Sequence, residues 1–220
     1  MGSDNLHHKR KAKKTKDLQR KKSQRASYDK ILIVCEGEKT EPNYSTDLVC
    51  YYKINTANVA IDGSCGSSPR SILKRAEDLA KNESKKGDGF DRIYCVFDKD
   101  NHETYDETVD KIASKKPKGI FYAAISVPCF EYWLLLHFDY TTKPYYKSGN
   151  SSIGNEVLKD LKAFYPNYEK GNDKVFSQLI GQLEFAKQNA KRALKHSDSS
   201  FTDNPSTNIH ELIDYLQNIK

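Results

Sequence analysis

The sequence predicts an α/β fold in which a four-stranded parallel sheet carries helices on both faces and is followed by a helical C-terminal extension. Three observations predict it. Short β-branched runs alternate four times with helical segments between residues 30 and 138, the pattern of βαβ units rather than hairpins. The runs at 30–35 and 92–97 are nearly continuously apolar, as strands buried on both faces are. Beyond residue 139 the strand signal stops and the remaining pattern is helical.

The first strand is Lys30-Ile-Leu-Ile-Val-Cys35, which runs directly into Glu-Gly-Glu-Lys-Thr-Glu-Pro. Pro42 suits the first turn of a helix over about 42–53. Asn58-Val-Ala-Ile61 is a second strand, and the loop 62–69 leads through Ser68 and Pro69, an N-cap and N1 pair, into a helix near 69–85. Gly-Asp-Gly (87–89) ends it. Arg92-Ile-Tyr-Cys-Val-Phe97 is the third strand and runs into Asp98-Lys-Asp100. A helix near 104–115, the break Lys-Pro-Lys-Gly (116–119) and a fourth strand over 120–125 follow. Residues 129–138 are apolar almost all round and read as a buried helix. A polar, tyrosine-rich loop over 139–151 precedes helical patterns near 152–164, 173–195 and 206–219, the last opened by Asn-Pro-Ser-Thr (204–207), with Ser206 or Thr207 as the cap.

The net charge of +6 divides unevenly. Residues 1–30 hold eleven Lys/Arg against three Asp, whereas the other 190 hold 25 Lys/Arg against 27 Asp/Glu. The chain therefore divides into a basic arm over 1–29, an α/β core over 30–138 and the helical extension over 139–220, packed on the core. The arm lacks core residues, so it is expected to be disordered alone. Its cations, Arg10 and Lys21 among them, suit salt-sensitive contact with nucleic-acid phosphates. No apolar run reaches the ~18 residues that cross a bilayer, and no membrane partner is expected. Five cysteines without any C-x-x-C pair fit free thiols in a reducing cytoplasm rather than a disulfide framework or zinc site.

Ligands of an open parallel sheet sit beyond the carboxyl ends of its strands. Acids fall at three such ends: Glu36 after the first strand, Asp98 and Asp100 after the third, and Glu131 after the fourth. Crowded carboxylates resist ionisation, which makes a cation their natural partner. Oxygen ligands without Cys/His spacing favour Mg²⁺ or Mn²⁺ over zinc. Asp-x-Asp alone is more often a turn than a site, and Glu36 alone could simply cap a helix; together on this topology they indicate a metal site.

These residues also resemble a known family. ILIVCEGEKTE (31–41) followed by VFDKD (96–100) looks like the Toprim signature of topoisomerases, primases and several nucleases. VCEGEKTEPNY (34–44), VFDKDN (96–101), VPCFEYWLLLHF (127–138) and NPSTNI (204–209) together resemble the RloB family, Toprim-like proteins of bacterial restriction and phage-defence loci. The resemblance covers about residues 28–219. It implies a Toprim-like core and metal-dependent cleavage of DNA or RNA, structured RNA such as tRNA included, often beside a separate ATPase subunit. Carried over residue by residue, Asp98 and Asp100 match the metal-binding acids, and Glu36 matches the Toprim glutamate, a metal ligand or general acid/base. Glu41 and Glu131 match RloB positions, Glu131 as the acid that supplies or positions a second metal. Lys39, in the turn that carries Glu36, is placed to neutralise charge on phosphate.

Lesser signals are weighed against ordinary structural roles. His137 reads as a core histidine and Trp133 as core, while His102 is better placed for chemistry but is expected to be exposed. The loop 62–69 lacks G-x-x-x-x-G-K-[ST] and is no P-loop. Lys143, Tyr145, Tyr146 and Lys147 form a basic-aromatic loop suited to stacking unpaired bases, and equally suited to being a solvated connection. Two further functions compete with the nuclease reading. One is a nucleic-acid-binding adaptor or sensor that works with an ATPase and has no turnover of its own, against which the intact Glu36, Asp98 and Asp100 argue. The other is phosphotransfer through Asp98, which expects its Asp motif on the first strand rather than the third. A homo-oligomer is left open.

Overall fold

The computed structural model describes residues 29–66, 68–100 and 102–219. Its strands are β1 (Ile31–Cys35), β2 (Val59–Asp62), β3 (Arg92–Asp98), β4 (Phe121–Val127) and β5 (Ser206–Thr207). Its helices are α1 (Thr40–Tyr51), α2 (Pro69–Lys85), α3 (Tyr105–Ser114), α4 (Phe130–Leu135), α5 (Ile153–Phe164), α6 (Val175–Leu179), α7 (Leu183–Ser200) and α8 (Ile209–Gln217). The sheet order is β2-β1-β3-β4-β5. The first four strands are mutually parallel, so the carboxyl ends of β1, β3 and β4 share one edge of the sheet.

Alternation along β1 sorts the core. Ile31, Ile33 and Cys35 face one side and join a cluster with Tyr44, Trp133, Val157, Leu183 and Leu212. Leu32 and Val34 face the other and pack with Ile72, Leu73 and Ile112. This is the period of two expected of a strand buried on both faces. The helices beyond residue 139 all contribute to the first cluster: α5 and α7 pack on α4, α6 on α1 and α8 on β4. Trp133, fully buried, donates its indole N–H to the Tyr44 hydroxyl at 2.9 Å, which ties α4 to α1 through a satisfied polar contact. Ser68 caps α2 as expected: its hydroxyl accepts from Ser71 N at 3.2 Å.

Three expectations are corrected. The sheet has five strands, not four. Ser206 and Thr207 form a short strand antiparallel to β4, and the following helix begins at Ile209, where Asn208 makes no side-chain capping bond but the Thr207 hydroxyl accepts from Ile209 N at 3.3 Å. Asn208 secures this edge: its Oδ1 accepts from Ile125 N at 2.6 Å and its Nδ2 donates to Ala123 O at 2.9 Å. Two residues carry no readable period, so tertiary bonds define the strand: the β4 pairing and the contacts of the Thr207 hydroxyl, beside those of Asn208. The helix expected over 173–195 is broken into α6, a 3₁₀ turn at Ile180–Gln182 and α7. Gly181, a poor helix former, lies in that turn. The helix expected over 129–138 ends at Leu135.

Candidate functional site

The loops that follow β1 and β2 meet closely. A Cβ at Gly63 would lie 2.3 Å from Gly37 O and 2.8 Å from Pro42 Cγ, so glycine is required there. That contact packs the turn carrying Glu36 against the neighbouring strand end. Glu36 N donates to Val96 O at 2.9 Å, continuing the ladder, while its Oε2 accepts from Asp98 N at 3.1 Å. Asp98, last in β3, accepts on Oδ2 from Phe130 N, the first amide of α4, at 3.1 Å. Main-chain amides thus orient both carboxylates.

Two more acids close on this pair. Glu41 lies buried in the first turn of α1 and Glu131 lies buried in the first turn of α4. Burial and then repulsion from Glu131 and Glu36 push the Glu41 carboxyl up to about 8. Asp98 is held well above the carboxylate range by burial and then by Glu41, Glu36 and Glu131. Glu36 is raised chiefly by burial, with Asp100 adding to it; the Asp98 amide and His102 oppose the rise. Glu36, Glu41 and Asp98 are thus too crowded to ionise independently.

The charge is partly answered from the extension. Lys170 Nζ lies 2.9 Å from Glu131 Oε1, and the Tyr168 hydroxyl donates to the same oxygen at 3.3 Å. Sequence reasoning missed both residues. They sit in a polar loop 37 and 39 positions beyond Glu131, and no local spacing links a loop lysine to a distant helix. His102, half-buried rather than exposed, brings Nε2 to 3.5 Å from Glu36 Oε1.

The other expected residues fall in different places. Asp100 is exposed, with a left-handed φ of 32°, and its N donates to Pro128 O at 3.3 Å; its charge acts on Glu36. Lys39 lies against the 165–174 loop, where a Cβ on Gly171 would be 3.0 Å from its own Cβ; Lys170, not Lys39, is paired with an acid of the cluster. The basic-aromatic loop is corrected in part. Tyr145 is buried and donates its hydroxyl to Asp160 at 2.9 Å, and Lys143 pairs with the same carboxylate at 2.9 Å. That pair anchors the loop, leaving Tyr146 and Lys147 exposed. Arg10 and Lys21 lie outside the described residues. His137 is a neutral core histidine, its Nδ1 3.1 Å from Trp133 O and burial lowering its pKa to about 4.

Among the described residues, no group of three or more His, Cys, Asp or Glu side chains is arranged to hold a metal ion. The acids instead spend their oxygens on Lys170, Tyr168, His102 and backbone amides. Their chemistry nonetheless fits a hard divalent cation: all donors are oxygen, and the four carboxyl groups outnumber the one paired lysine, so a cation could take the place of their protons. None of the helices among the described residues is long and apolar enough to cross a membrane.

Fold and site together define an α/β protein with acidic residues gathered beyond the carboxyl ends of a mostly parallel sheet. The family model described as "RloB-like protein" matches residues 31–216, and the chain belongs to the RloB-like family. Neither a curated protein nor a solved structure matches it.

Proposed function

We propose that this chain is a Toprim-type, Mg²⁺- or Mn²⁺-dependent endonuclease that hydrolyses phosphodiesters of DNA or RNA, tRNA among the candidates, in bacterial phage defence. The observation that carries the reading is the crowding of Glu36, Glu41, Asp98 and Glu131, which raises the first three in pKa. Asp98, Glu36 and Glu131, with Asp100 and Glu41 beside them, would hold the cation. When bound, it supplies Lewis-acid stabilisation of charge on the phosphate.

The chain's own residues supply the rest. The amides of Asp98 and Phe130 fix Glu36 and Asp98 in place before substrate arrives, so little reorganisation is left for the reaction. His102 Nε2, 3.5 Å from Glu36 Oε1, would orient that carboxylate. Glu36 would serve either as a cation ligand or as the general base for the attacking water. Lys170 and Lys39, on facing loops, offer positive charge to a phosphate entering above the acids.

The Lys170–Glu131 ion pair favours a second reading. An ammonium already answers one acid, as in a nucleic-acid-binding adaptor that works with an ATPase partner and has no turnover. Incubation of the protein with labelled duplex DNA, single-stranded DNA and total tRNA, in Mg²⁺, Mn²⁺ or EDTA, separates the two. The nuclease reading expects metal-dependent cleavage of at least one substrate, lost in Asp98→Asn. Binding without cleavage under every condition supports the adaptor instead.

A further inference from the structure

A cleft of about 400 Å³, lined by none of the clustered acids, opens on the extension between Phe138, Tyr165, Asn167, Asn172, Gln178, Leu179 and Gln182. Its chemistry is distinctive. Two aromatic rings and four primary amides line it, with no charged side chain. Phe138 and Tyr165 pack with centroids 5.9 Å apart, and Phe138 stacks on Phe164 at 6.1 Å and 12°. The Tyr165 hydroxyl donates to Gln178 Oε1, which fixes that amide, and Asn172 Oδ1 accepts from Lys174 N at 2.9 Å. The amides of Asn167 and Gln182 bond no group among the described residues.

We infer that this cleft receives an unpaired nucleobase of the nucleic acid processed at the acid cluster. The inference rests on the nucleic-acid reading proposed above. An amide presents a donor and an acceptor side by side, which matches the hydrogen-bonding edges of the bases, and aromatic walls stack their faces. Without charged lining, the cleft selects a neutral planar group rather than a phosphate. Its volume exceeds that of one base and lies within the range of small-ligand sites.

The cleft is joined to the acid cluster twice. The loop that supplies Tyr165, Asn167 and Asn172 to the cleft also sends Tyr168 and Lys170 to Glu131. Along the chain, Glu131 lies in the first turn of α4 and Phe138 follows its end, seven residues on. A base seated in the cleft would therefore set which phosphate reaches Asp98, and would order the loop that holds Lys170 against Glu131.

The test is a binding measurement in EDTA, where cleavage is off. A fluorescently labelled single-stranded oligonucleotide and its abasic counterpart of equal length are titrated with wild type and with Asn167→Ala/Gln182→Ala. Both replaced side chains are solvent-exposed, so the fold is kept, and circular dichroism checks it. Wild type should bind the base-bearing strand about tenfold more tightly than the abasic one. The double variant should lose that preference while holding the abasic strand as before. Equal affinity of wild type for both strands, preference retained in the variant, or no binding of either strand would overturn the inference. So would a neutral oligosaccharide such as cellobiose displacing the oligonucleotide from wild type. Failure of the nuclease reading would show separately, as absence of cleavage in Mg²⁺ or Mn²⁺ with base preference intact.

Discussion

Replacing Glu41 by Gln should stabilise the metal-free protein at alkaline pH and leave it nearly unchanged in mild acid. Glu41 is buried, and its carboxyl is pushed from 4.5 to about 8 in the folded chain. Between those values the folded state keeps a proton that the unfolded state releases, so stability falls as pH rises through this window. At about 1.4 kcal/mol per pH unit, the gap corresponds to roughly 5 kcal/mol once both states are ionised. Part of this is shared with Asp98, whose carboxyl Glu41 itself raises, and the amide carries its own burial penalty. The net gain of Glu41→Gln should therefore be about 2–4 kcal/mol near pH 9. It should shrink to within about 0.5 kcal/mol near pH 4.5, where Glu41 is protonated in the folded state and half-protonated in the unfolded one. Urea denaturation in EDTA across that range measures it directly. Saturating Mg²⁺ should narrow the alkaline difference, because a ligand that binds only the folded state stabilises it and the wild type offers it the extra carboxylate. Parallel pH profiles for the two proteins would refute the crowding on which the site is built.

Two other perturbations follow from single contacts. Lys170→Met leaves buried Glu131 without its ammonium; since the Lys170 side chain is 54% exposed, solvent screening reduces the loss to about 1–2 kcal/mol at neutral pH by urea denaturation. An unchanged midpoint would mean that the pair is not held in solution. Asn208→Ala removes both amide bonds to β4 and should lower stability by about 2–3 kcal/mol, with hydrogen exchange at Ile125 N accelerated. Protection retained at that amide would show that β5 does not depend on Asn208.

The sheet was legible because β1 and β3 are near-continuous apolar runs that end in Glu36 and Asp98, and a strand buried on both faces advertises itself locally. The acids of the site were legible for the same reason: topology brings the ends of parallel strands together, so Glu36, Asp98 and Glu131 could be placed on one edge before any distance was known. What stayed hidden depends on long-range contact. Ser206 and Thr207 become a strand through contacts with β4, where the Thr207 hydroxyl and the Asn208 amide reach Ala123, Ile125 and Ser126. Lys170 becomes part of the site only because the 165–174 loop folds back over α4. Tyr145 looked like a surface aromatic among lysines, yet Asp160, fifteen residues on, draws its hydroxyl inward and the ring follows. In each case the deciding partner lies outside the window in which periodicity or motif spacing operates.

The central claim is that the carboxylates at the strand ends form a divalent cation site. Electron paramagnetic resonance of Mn²⁺ titrated into wild type and Asp98→Asn at neutral pH tests it most directly. Asparagine keeps an oxygen for the Phe130 amide, so the fold is preserved while a charged ligand is lost. The account predicts saturable Mn²⁺ binding to wild type, displaced by Mg²⁺ and weakened about tenfold or more in the variant. Mn²⁺ bound equally by both proteins, or by neither, would contradict it.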